Sequence, residues 1–496
     1  MFRLRRMRID TLSEHVVFIH EGAVAEGRLG FQPLDRVRLL GPNGRELTGV
    51  LNFCTDTLLS RDEIGLSEIA FRDFAQPEGT LVGATHAPAP ESLDRVRHKL
   101  RGGRLARADF DAVLRDVCAR RYAKPELAMF VLACALRQLD RTELIAFTEA
   151  MIACGSQLSF DAPIVVDKHS IGGIPGNRTT MIVVPIVTAL GLIMPKTSSR
   201  AITSPSGTAD TMATLAEVAL TPERIRRVVA QTGGCIAWGG ALDLAPADDV
   251  LITVERPMGI DTEAQMIASI LSKKKTAGAT HALIDVPVGP SAKVRTHRAG
   301  EELAELFRVV GSAIGLVLDV VITDARGPIG AGVGPRLEAL DVLAVLERKP
   351  DAPQDLREKS LFLAARLLER AGAVPDAGGY RAAQEALESG AALARFEAIR
   401  AAQGARELPP LAPFRGVIEA RADGRVRAID CLRINQIAKL AGAPANPSAG
   451  LRMSCRVGDV IARGQPLLEV HALSEAQLAF ALAHAEQAAN LVEFGF

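Results

Sequence analysis

Short apolar strands alternate with longer helical segments from Phe160 onward, and this alternation restricts the fold more than any other feature. The predicted strands are PIVVD, LIMPKT, CIAWGG and ALIDVPVG; the predicted helices are TTMIVVPIVTALG, ADTMATLAEVAL, 261–276 and AGEELAELFRVVGSAIG. The first of these helices is β-branched and contains Pro185, but its length and its closing Gly191 favour a helix. Strands that alternate with helices form parallel sheets. We therefore predict a mostly parallel α/β domain.

The chain of 496 residues is too long for one core and should contain several domains. Short β-type runs at 15–20, 35–41 and 47–53 predict an N-terminal β-barrel-like domain, whereas 93–155 reads as consecutive helices with Pro125 at a helix start. A Pro-rich break, LPPLAP, precedes short strands and an alanine-rich helix. The prediction is a multidomain α/β protein with an N-terminal β-domain at 1–86, a helical domain at 87–158 joined by later helical segments, an α/β domain at 159–407 and a C-terminal α+β domain at 408–496.

Composition excludes several classes of protein. Lys plus Arg and Asp plus Glu both number 58 and aromatic residues make up 4%, which disfavours binding to nucleic acid or to acidic membranes. The 7 cysteines form no C-x-x-C pair, so neither a disulfide scaffold nor a structural zinc site is expected. The sequence also lacks an apolar run of about eighteen residues. We expect a cytoplasmic protein.

A polar segment rich in glycine follows the first predicted strand of the α/β domain. In parallel sheets, ligands bind at the carboxyl ends of the strands, where such segments gather. Glycines let backbone N–H groups turn toward an anion, and the lysine, arginine and hydroxyl side chains add charge and donors. The segment VVDKHSIGGIPGNRTT contains Lys168, Ser170, Gly172, Gly173, Gly176, Arg178, Thr179 and Thr180.

A second loop of similar chemistry, TSSRAITSPSGT at 197–208, follows the next predicted strand. Alone, either loop is explained by turns and helix caps. Two such loops on consecutive strand–helix units favour anion binding, either of one phosphate held from two sides or of two phosphates. Neither a G-x-x-x-x-G-K-[ST] motif nor a G-x-G-x-x-G motif fits here, which disfavours an ATPase or a dehydrogenase.

The segment GIDTEAQMIASILSKKKTAG forms the third polar cluster. On a helix, Asp261, Gln265, Ser269 and either Ser272 or Lys273 lie on one stripe. For an isolated helix, this would be a solvated face whose terminal lysines complement the helix dipole.

Several ordered motifs resemble the thymidine and pyrimidine-nucleoside phosphorylase family. They are DKHSIGG, LAPADD, the D-x7-S-x3-K spacing from Asp261 to Lys273, and RVGDVIARGQPLLEVHA, so the resemblance extends from Leu93 to the C-terminus. The N-terminal β-domain and the phrases DKHSIGGIPGN and KTSSRAITSPSGTADTM are most similar to the AMP phosphorylase branch, in which bacterial members carry the name thymidine phosphorylase. The resemblance implies a pentosyltransferase: inorganic phosphate attacks C1′, the base leaves, and a sugar 1-phosphate forms.

The resemblance also implies the site residues. It implies no cofactor beyond phosphate as co-substrate, and a homodimer or higher homo-oligomer; the sequence contains no metal-binding motif. Asp261 is the implied proton donor, and His169 either contacts a pyrimidine carbonyl or is a structural loop histidine. The implied phosphate ligands are Lys168, Ser170, Thr180, Ser198 and Thr208. The implied base or nucleotide ligands are Gly173, Ser199, Arg200, Ala201, Ile202, Thr203, Ser204, Ser269, Lys273 and Lys293.

Two departures from the pyrimidine enzymes bear on the substrate. The position of their base-recognising arginine is Val254 here, and Lys293 in GPSAKV replaces an apolar residue. A lysine beside the second loop suits a 5′-phosphate, which needs paired donors, although Lys293 as a surface lysine is the alternative. We therefore rank AMP-type phosphorolysis, which yields ribose 1,5-bisphosphate, above thymidine phosphorolysis. A non-catalytic nucleotide-binding protein and another phosphoribosyl- or phosphate-transferring enzyme are further alternatives.

Overall fold

The computed structural model describes residues 1–25, 30–55, 57–201, 204–260, 262–487 and 491–495. The chain divides into two compact units. The first unit comprises Met1–Gly155 and Ala245–Ser272, and the second comprises Ser156–Leu244 and Lys273–Phe496. No helix in the described part of the chain is long and apolar enough to cross a membrane.

The N-terminal domain is a closed β-barrel with strand order β1-β5-β2-β4-β3-β6. The three β-type runs noted in the sequence are β2, β3 and β4. Val37 and Leu39 alternate with exposed residues along β3 and point into the barrel core, as a half-buried strand requires. The elements are β1 Phe2–Arg6, β2 Val16–His20, α1 Glu21–Ala25, β3 Arg36–Leu40, β4 Glu46–Cys54, β5 Glu63–Leu66, α2 Glu68–Phe74 and β6 Leu81–His86.

A bundle of helices follows the barrel. As predicted, Pro125 lies in the first turn of its helix, where its missing N–H costs nothing. Asp140 caps the last helix by accepting from the N–H groups of Thr142 and Glu143. The helices are α3 Leu93–Leu100, α4 Arg107–Cys118, α5 Lys124–Leu136 and α6 Arg141–Cys154.

The predicted alternation of strands and helices is present in the next segment, and its strands pair in parallel. One sheet has the order β11-β10-β7, and β8 pairs with β9. A parallel bridge between Val165 and Ile193 links the two sheets. The elements are β7 Val166–Ser170, α7 Thr180–Ala189, β8 Met194–Ser198, α8 Thr208–Ala213, α9 Pro222–Thr232, β9 Gly234–Trp238, α10 Pro246–Met258, α11 Glu263–Thr276, β10 His281–Val288, α12 His297–Ala313 and β11 Val317–Asp324.

The sequence-based prediction for this segment is confirmed at one point and wrong at two. As predicted, the β-branched segment TTMIVVPIVTALG forms a helix, α7, with Pro185 inside it. The first strand is shifted toward the C-terminus: β10 pairs with it as far as Ser170, so Lys168 to Ser170 are strand residues and not loop residues. The helix predicted as ADTMATLAEVAL ends at Ala213, and α9, which Thr221 caps, was missed.

The remaining chain is helical and then α+β, as predicted. Its antiparallel sheets have the orders β12-β15-β17-β13 and β16-β14-β18, so β12 joins the α/β domain to the C-terminal domain. The elements are β12 Gly332–Val333, α13 Pro335–Leu346, α14 Gln354–Arg370, α15 Gly379–Glu388, α16 Ala391–Gln403, β13 Phe414–Glu419, β14 Gly424–Ile429, α17 Cys431–Leu440, β15 Gly450–Met453, β16 Val460–Ile461, β17 Pro466–Ala472, α18 Glu475–Gln487 and β18 Val492–Gly495.

A buried ion pair in the helical bundle gives a test of stability. Lys99 Nζ lies 2.7 Å from Glu143 Oε1, and both side chains are almost fully buried. Lys99→Met leaves the Glu143 carboxylate buried without its cation, so we expect the free energy of unfolding of this region to fall by about 3–5 kcal/mol. Arg97→Met, which removes an exposed ion pair with Asp94 from the same helix, is the matched control and should change stability little. Urea denaturation followed by circular dichroism measures both; equal losses would contradict the prediction.

Candidate functional site

Strand β7 positions the central polar residues of the second unit. Its sequence VDKHS places successive side chains on opposite faces of the sheet, so Lys168 and Ser170 share one face and Asp167 and His169 share the other. Lys168 and Asp167 are 1% and 2% exposed. Buried charges of this kind require partners, which both faces supply.

Lys168 is surrounded by hydroxyl groups on its face of β7. Its Nζ lies 2.6 Å from both Ser170 Oγ and Thr179 Oγ1, and 3.5 Å from Thr180 Oγ1. Burial lowers the pKa of Lys168 to about 7, and the nearby Lys359 acts in the same direction, whereas Asp285 opposes it. The result is one ammonium group among hydroxyls at the first turn of α7, a set of donors suited to an oxyanion.

Asp285, on the neighbouring strand β10, organises the other side of this hydroxyl cluster. Ser170 Oγ donates to Asp285 Oδ2 at 2.6 Å, and Thr323 Oγ1 donates to Asp285 Oδ1 at 2.6 Å. The Nζ of Lys359, from α14, lies 2.9 Å from Asp285 Oδ2. Burial would raise the pKa of Asp285, but Lys359 and Lys168 hold it below its usual value. Asp285 is therefore an ionised carboxylate inside the sheet.

The opposite face of β7 carries a second compensated carboxylate. Lys196 Nζ lies 3.0 Å from Asp167 Oδ1, and Lys274 Nζ lies 2.6 Å from Asp167 Oδ2. Burial favours protonation of Asp167, but the two lysines hold its pKa below the usual value. Burial and the surrounding lysines, Lys274 and Lys196 foremost, lower the pKa of His169 well below 6.5. His169 is consequently a neutral imidazole at physiological pH.

Two glycines shape the turn between β7 and α7. Gly173 and Gly176 have φ values of 111° and 72°, which disfavour other residues. A Cβ at Gly176 would lie 2.2 Å from Ile329 O, whereas one at Gly173 would lie 3.6 Å from Lys293 Cγ. Asn435, from α17, donates to Gly173 O at 2.9 Å. The turn therefore packs against the backbone of Ile329 at Gly176 and lies near the Lys293 side chain at Gly173.

Arg178 connects the first turn to the second loop. Its Nη1 donates to Thr208 Oγ1 at 3.1 Å, its Nη2 donates to Ser206 O at 2.9 Å, and its Nε pairs with the buried Glu338. The sequence counted Arg178 among the groups that add charge for an anion. In the structure, this arginine holds the two loops together.

Arg200 is likewise bound to neighbouring residues around the second loop. It pairs with Asp210 at 3.0 Å and lies over the ring of Trp238 at 5.0 Å. Asp210 also accepts from the N–H groups of Ala201 and Gly207, and so holds two separate points of the loop. Ser204 Oγ donates to Ser206 O.

The other residues implied by the family resemblance lie at element ends. Thr180 and Thr208 begin α7 and α8, Ser198 ends β8, and Ser199 follows it as an exposed residue. Ser269 and Lys273 are both on α11, but Ser269 belongs to the first compact unit and Lys273 to the second.

Lys293 is an exposed residue between β10 and α12. Asp261, Ile202 and Thr203 lie outside the described residues.

The sequence did not assign several charged residues that the structure brings to this cluster. Asp167 and Asp285 each stand in an apolar strand run, PIVVD and ALIDVPVG, and a carboxylate in a buried strand needs a partner. The sequence therefore contained a signal that Asp167 and Asp285 need charged partners. Lys196, Lys274 and Lys359 come from three separate elements. A solvated helix end, the interpretation for an isolated helix, does not hold for Lys274, because that lysine is buried.

Three family models match the chain. The "Glycosyl transferase family, helical bundle domain" matches residues 94–155, the "Glycosyl transferase family, a/b domain" matches 162–393, and the "Pyrimidine nucleoside phosphorylase C-terminal domain" matches 425–491. Together they cover the helical bundle, the parallel α/β domain and the C-terminal domain.

Relatives similar over almost the whole chain carry the name "Putative thymidine phosphorylase". The one from Polaromonas sp. (strain JS666 / ATCC BAA-500) is 50% identical over 99% of this chain and 96% of its own length. Those from Methylococcus capsulatus and Bradyrhizobium diazoefficiens are 49% and 50% identical, over 97% and 95% of this chain and 93% and 92% of their own lengths.

Two solved structures share the fold at low sequence identity. Anthranilate phosphoribosyltransferase from Thermus thermophilus matches with a TM-score of 0.54 and 20% identity, over 62% of this chain and 99% of that one. The Saccharomyces cerevisiae anthranilate phosphoribosyltransferase, solved with PRPP and Mg, gives a TM-score of 0.51 and 16% identity, over 63% and 97%.

Replacing Asp167 tests the compensated charges. Asp167→Asn leaves Lys196 and Lys274 buried without their carboxylate, so we expect stability near neutral pH to fall by about 3–5 kcal/mol. Burial lowers the pKa of Lys274 to about 7 from 10.5 even with Asp167 present. A lysine with a depressed folded-state pKa binds fewer protons when folded, so stability rises with pH between the two values. The variant should therefore recover stability as the pH increases through that window.

Thermal unfolding at about pH 7 and about pH 9 measures the effect of Asp167→Asn. The exposed Asp161 provides the control, Asp161→Asn, which should unfold like the wild type. The unfolding temperature of Asp167→Asn should be higher at about pH 9 than at about pH 7; an unchanged or lower value would contradict the assignment of buried lysines that lose their protons.

Proposed function

Because the chain belongs to the thymidine and pyrimidine-nucleoside phosphorylase family, we propose that it cleaves an N-glycosidic bond by phosphorolysis, with inorganic phosphate as the nucleophile. The observation that carries this proposal is the single ammonium group of Lys168 among the hydroxyls of Ser170, Thr179 and Thr180. An oxyanion bound there replaces hydroxyl contacts with charge-assisted hydrogen bonds.

The proposed mechanism divides the work between β7 and the turn that follows it. N-glycosidic cleavage passes through an oxocarbenium-like state, so the protein must hold an anionic nucleophile on one face of the sugar and stabilise the departing base. In this proposal Lys168, Ser170 and Thr180 hold phosphate, and Ser198 and Thr208 complete its ligands.

His169 faces away from Lys168 on β7, and its depressed pKa keeps it neutral. A neutral imidazole can form a hydrogen bond with a base carbonyl, but it carries no second proton to transfer to the base. We assign it that role, with proton donation to the base left to Asp261 as the family resemblance implies.

Thymidine is the first candidate substrate. The names of relatives about half identical over nearly the whole chain favour it, as does the pyrimidine nucleoside phosphorylase C-terminal domain. These comparisons favour thymidine over the AMP-first ranking that the sequence motifs gave.

A nucleoside 5′-monophosphate, with AMP first, is the second candidate. It is favoured by Lys293, whose side chain approaches Gly173 at the turn after β7. Val254 in place of a base-recognising arginine points the same way. A 5′-phosphate needs such a cation near its oxygens because a poorly hydrated dianion requires charged partners.

A substrate panel tests the proposed function. We expect phosphate-dependent release of free base when thymidine, uridine, adenosine, AMP, CMP and UMP are compared at equal concentrations, with Lys168→Gln as the inactive control, because that variant lacks the ammonium group. Faster turnover of thymidine than of every monophosphate supports the first candidate, and the reverse order supports the second. Base release that does not depend on phosphate, or no release from any substrate, would refute phosphorolysis.

Replacing Lys293 tests whether this residue recognises a 5′-phosphate. Under the second candidate, Lys293→Ala should raise KM for AMP roughly tenfold to a hundredfold, since a hydrogen bond to a charged group is lost. The KM for adenosine should change little. Arg295→Ala, at an exposed position two residues away, is the matched control for a general loss of positive charge. Equal effects of Lys293→Ala on nucleotide and nucleoside would show that Lys293 does not contact the 5′-phosphate.

A further inference from the structure

A chain of hydrogen bonds and ion pairs extends from helix α14 to the proposed phosphate ligands. It runs from Lys359 Nζ to Asp285 Oδ2 at 2.9 Å, from Ser170 Oγ to the same oxygen at 2.6 Å, and from Lys168 Nζ to Ser170 Oγ at 2.6 Å. Thr323 contacts both Lys359 and Asp285. Every link lies within the second compact unit.

The direction of these hydrogen bonds fixes the orientation of Ser170. A hydroxyl group has one hydrogen, and Ser170 gives its hydrogen to the ionised Asp285. Its oxygen therefore presents lone pairs to the ammonium of Lys168, whose other hydrogens face Thr179 and, at 3.5 Å, Thr180. Ser170 can donate to a bound anion only when its hydrogen turns from Asp285 to that anion, and Lys359 then remains as the partner of Asp285 Oδ2. Asp285 thus determines how Ser170 and Lys168 are presented.

The charge of Asp285 would work against an anion if it were not balanced. Asp285 is 0% exposed, so water screens its charge poorly. Lys359, whose side chain is 8% exposed, supplies the matching positive charge from helix α14. Because Lys359 offsets the negative charge of Asp285, the Lys168 ammonium is available to an external anion.

We propose that Lys359 is a positioning residue for the phosphate site, acting through Asp285 to orient Ser170 and to keep Lys168 available to phosphate. This inference rests on the proposed function, because it takes phosphate as the anion that Lys168 binds. Thr323 belongs to the same unit, since it donates to Asp285 Oδ1 and contacts Lys359 Nζ at 3.0 Å.

If Lys359 only held α14 to the sheet, replacing another residue that does so would have the same effect on phosphate binding. Arg366 provides this comparison. Arg366, also on α14, pairs with Asp319 on β11 at 2.8 Å and so also ties this helix to the sheet. Arg366 contacts Asp319 near the start of β11, and Lys359 contacts Thr323 near the end of that strand. The two side chains therefore hold α14 to opposite ends of β11. Of these two side chains, Lys359 is the one that connects to Ser170, through Asp285.

Phosphate binding in the absence of any nucleoside gives the first test. Inorganic phosphate is titrated by isothermal calorimetry into the wild type, Lys359→Met, Thr323→Val and Arg366→Met. Methionine keeps most of the side-chain volume next to a cavity of about 520 Å³ that Lys359 and Thr323 line. We expect Lys359→Met to weaken phosphate binding roughly tenfold to a hundredfold and Thr323→Val severalfold, because hydrogen bonds to a charged group are lost, whereas Arg366→Met should bind like the wild type.

Steady-state kinetics gives the second test, with whichever substrate of the panel is turned over. Lys359→Met should raise KM for phosphate by a similar factor while KM for the nucleoside or nucleotide changes less than about twofold. Adding Asp285→Asn to Lys359→Met removes the uncompensated carboxylate and should recover part of the phosphate affinity. Thermal unfolding of each variant identifies any that fail to fold; if Lys359→Met does, Thr323→Val takes its place in both tests.

Two results would overturn the inference: equal loss of phosphate affinity in Lys359→Met and Arg366→Met, or unchanged phosphate binding in Lys359→Met and Thr323→Val. A wild type that binds phosphate but releases no base would refute the proposed function while leaving the positioning role intact. A wild type that does not bind phosphate would refute both.

Discussion

The second unit of this protein depends on carboxylates buried in a parallel sheet and neutralised by lysines from other elements. Asp167 on β7 is paired with Lys196 and Lys274, and Asp285 on β10 is paired with Lys359. An isolated charge at either position would cost several kcal/mol, so each strand can hold its carboxylate only when the lysine-bearing elements are packed against it. Strand β7 can therefore occupy its place in the sheet only when β8 and α11 bring their lysines to Asp167.

This arrangement shows how a chain with zero net charge can leave local positive charge at the proposed anion site. Lys359 is balanced by Asp285 and Arg178 by Glu338. Asp167 faces two lysines, of which Lys274 has a pKa that burial lowers to about 7. The described hydrogen-bond partners of the Lys168 ammonium group are hydroxyl groups. Its positive charge is therefore available to an external anion, and Asp285 and Thr179 already position Ser170 and the Lys168 ammonium before that anion arrives.

The sequence predicted most of the fold because its signals were local. Strand and helix periodicity, Pro125 at a helix start and the β-type runs of the N-terminal domain all depend on neighbouring residues. Both bounds of β7 were misplaced, because pairing with β10, which lies more than a hundred residues away in the chain, decides where that strand starts and ends. Helix α9 was missed although Thr221, Pro222 and Gly233 give it a cap, a first turn and an end.

The site was predictable in its donors but not in their partners. Motifs and hydroxyl content identified Lys168, Ser170 and Thr180, which the structure brings together. The lysines that neutralise Asp167 and Asp285 come from β8, α11 and α14, and no sequence spacing connects those elements. Arg178 shows the same limit, because its type suggested an anion ligand and only the fold reveals Glu338 beside it.

The pKa of Lys168 links this electrostatic arrangement to the proposed chemistry. Burial lowers it to about 7, so the side chain is only partly protonated at neutral pH when no anion is present. An anion in contact favours the charged form and raises that pKa. Phosphate binding would therefore take up a proton at Lys168, which keeps an uncompensated ammonium out of the sheet until its counter-ion arrives. The site stores little unfavourable charge when empty and acquires its full positive charge when phosphate is bound.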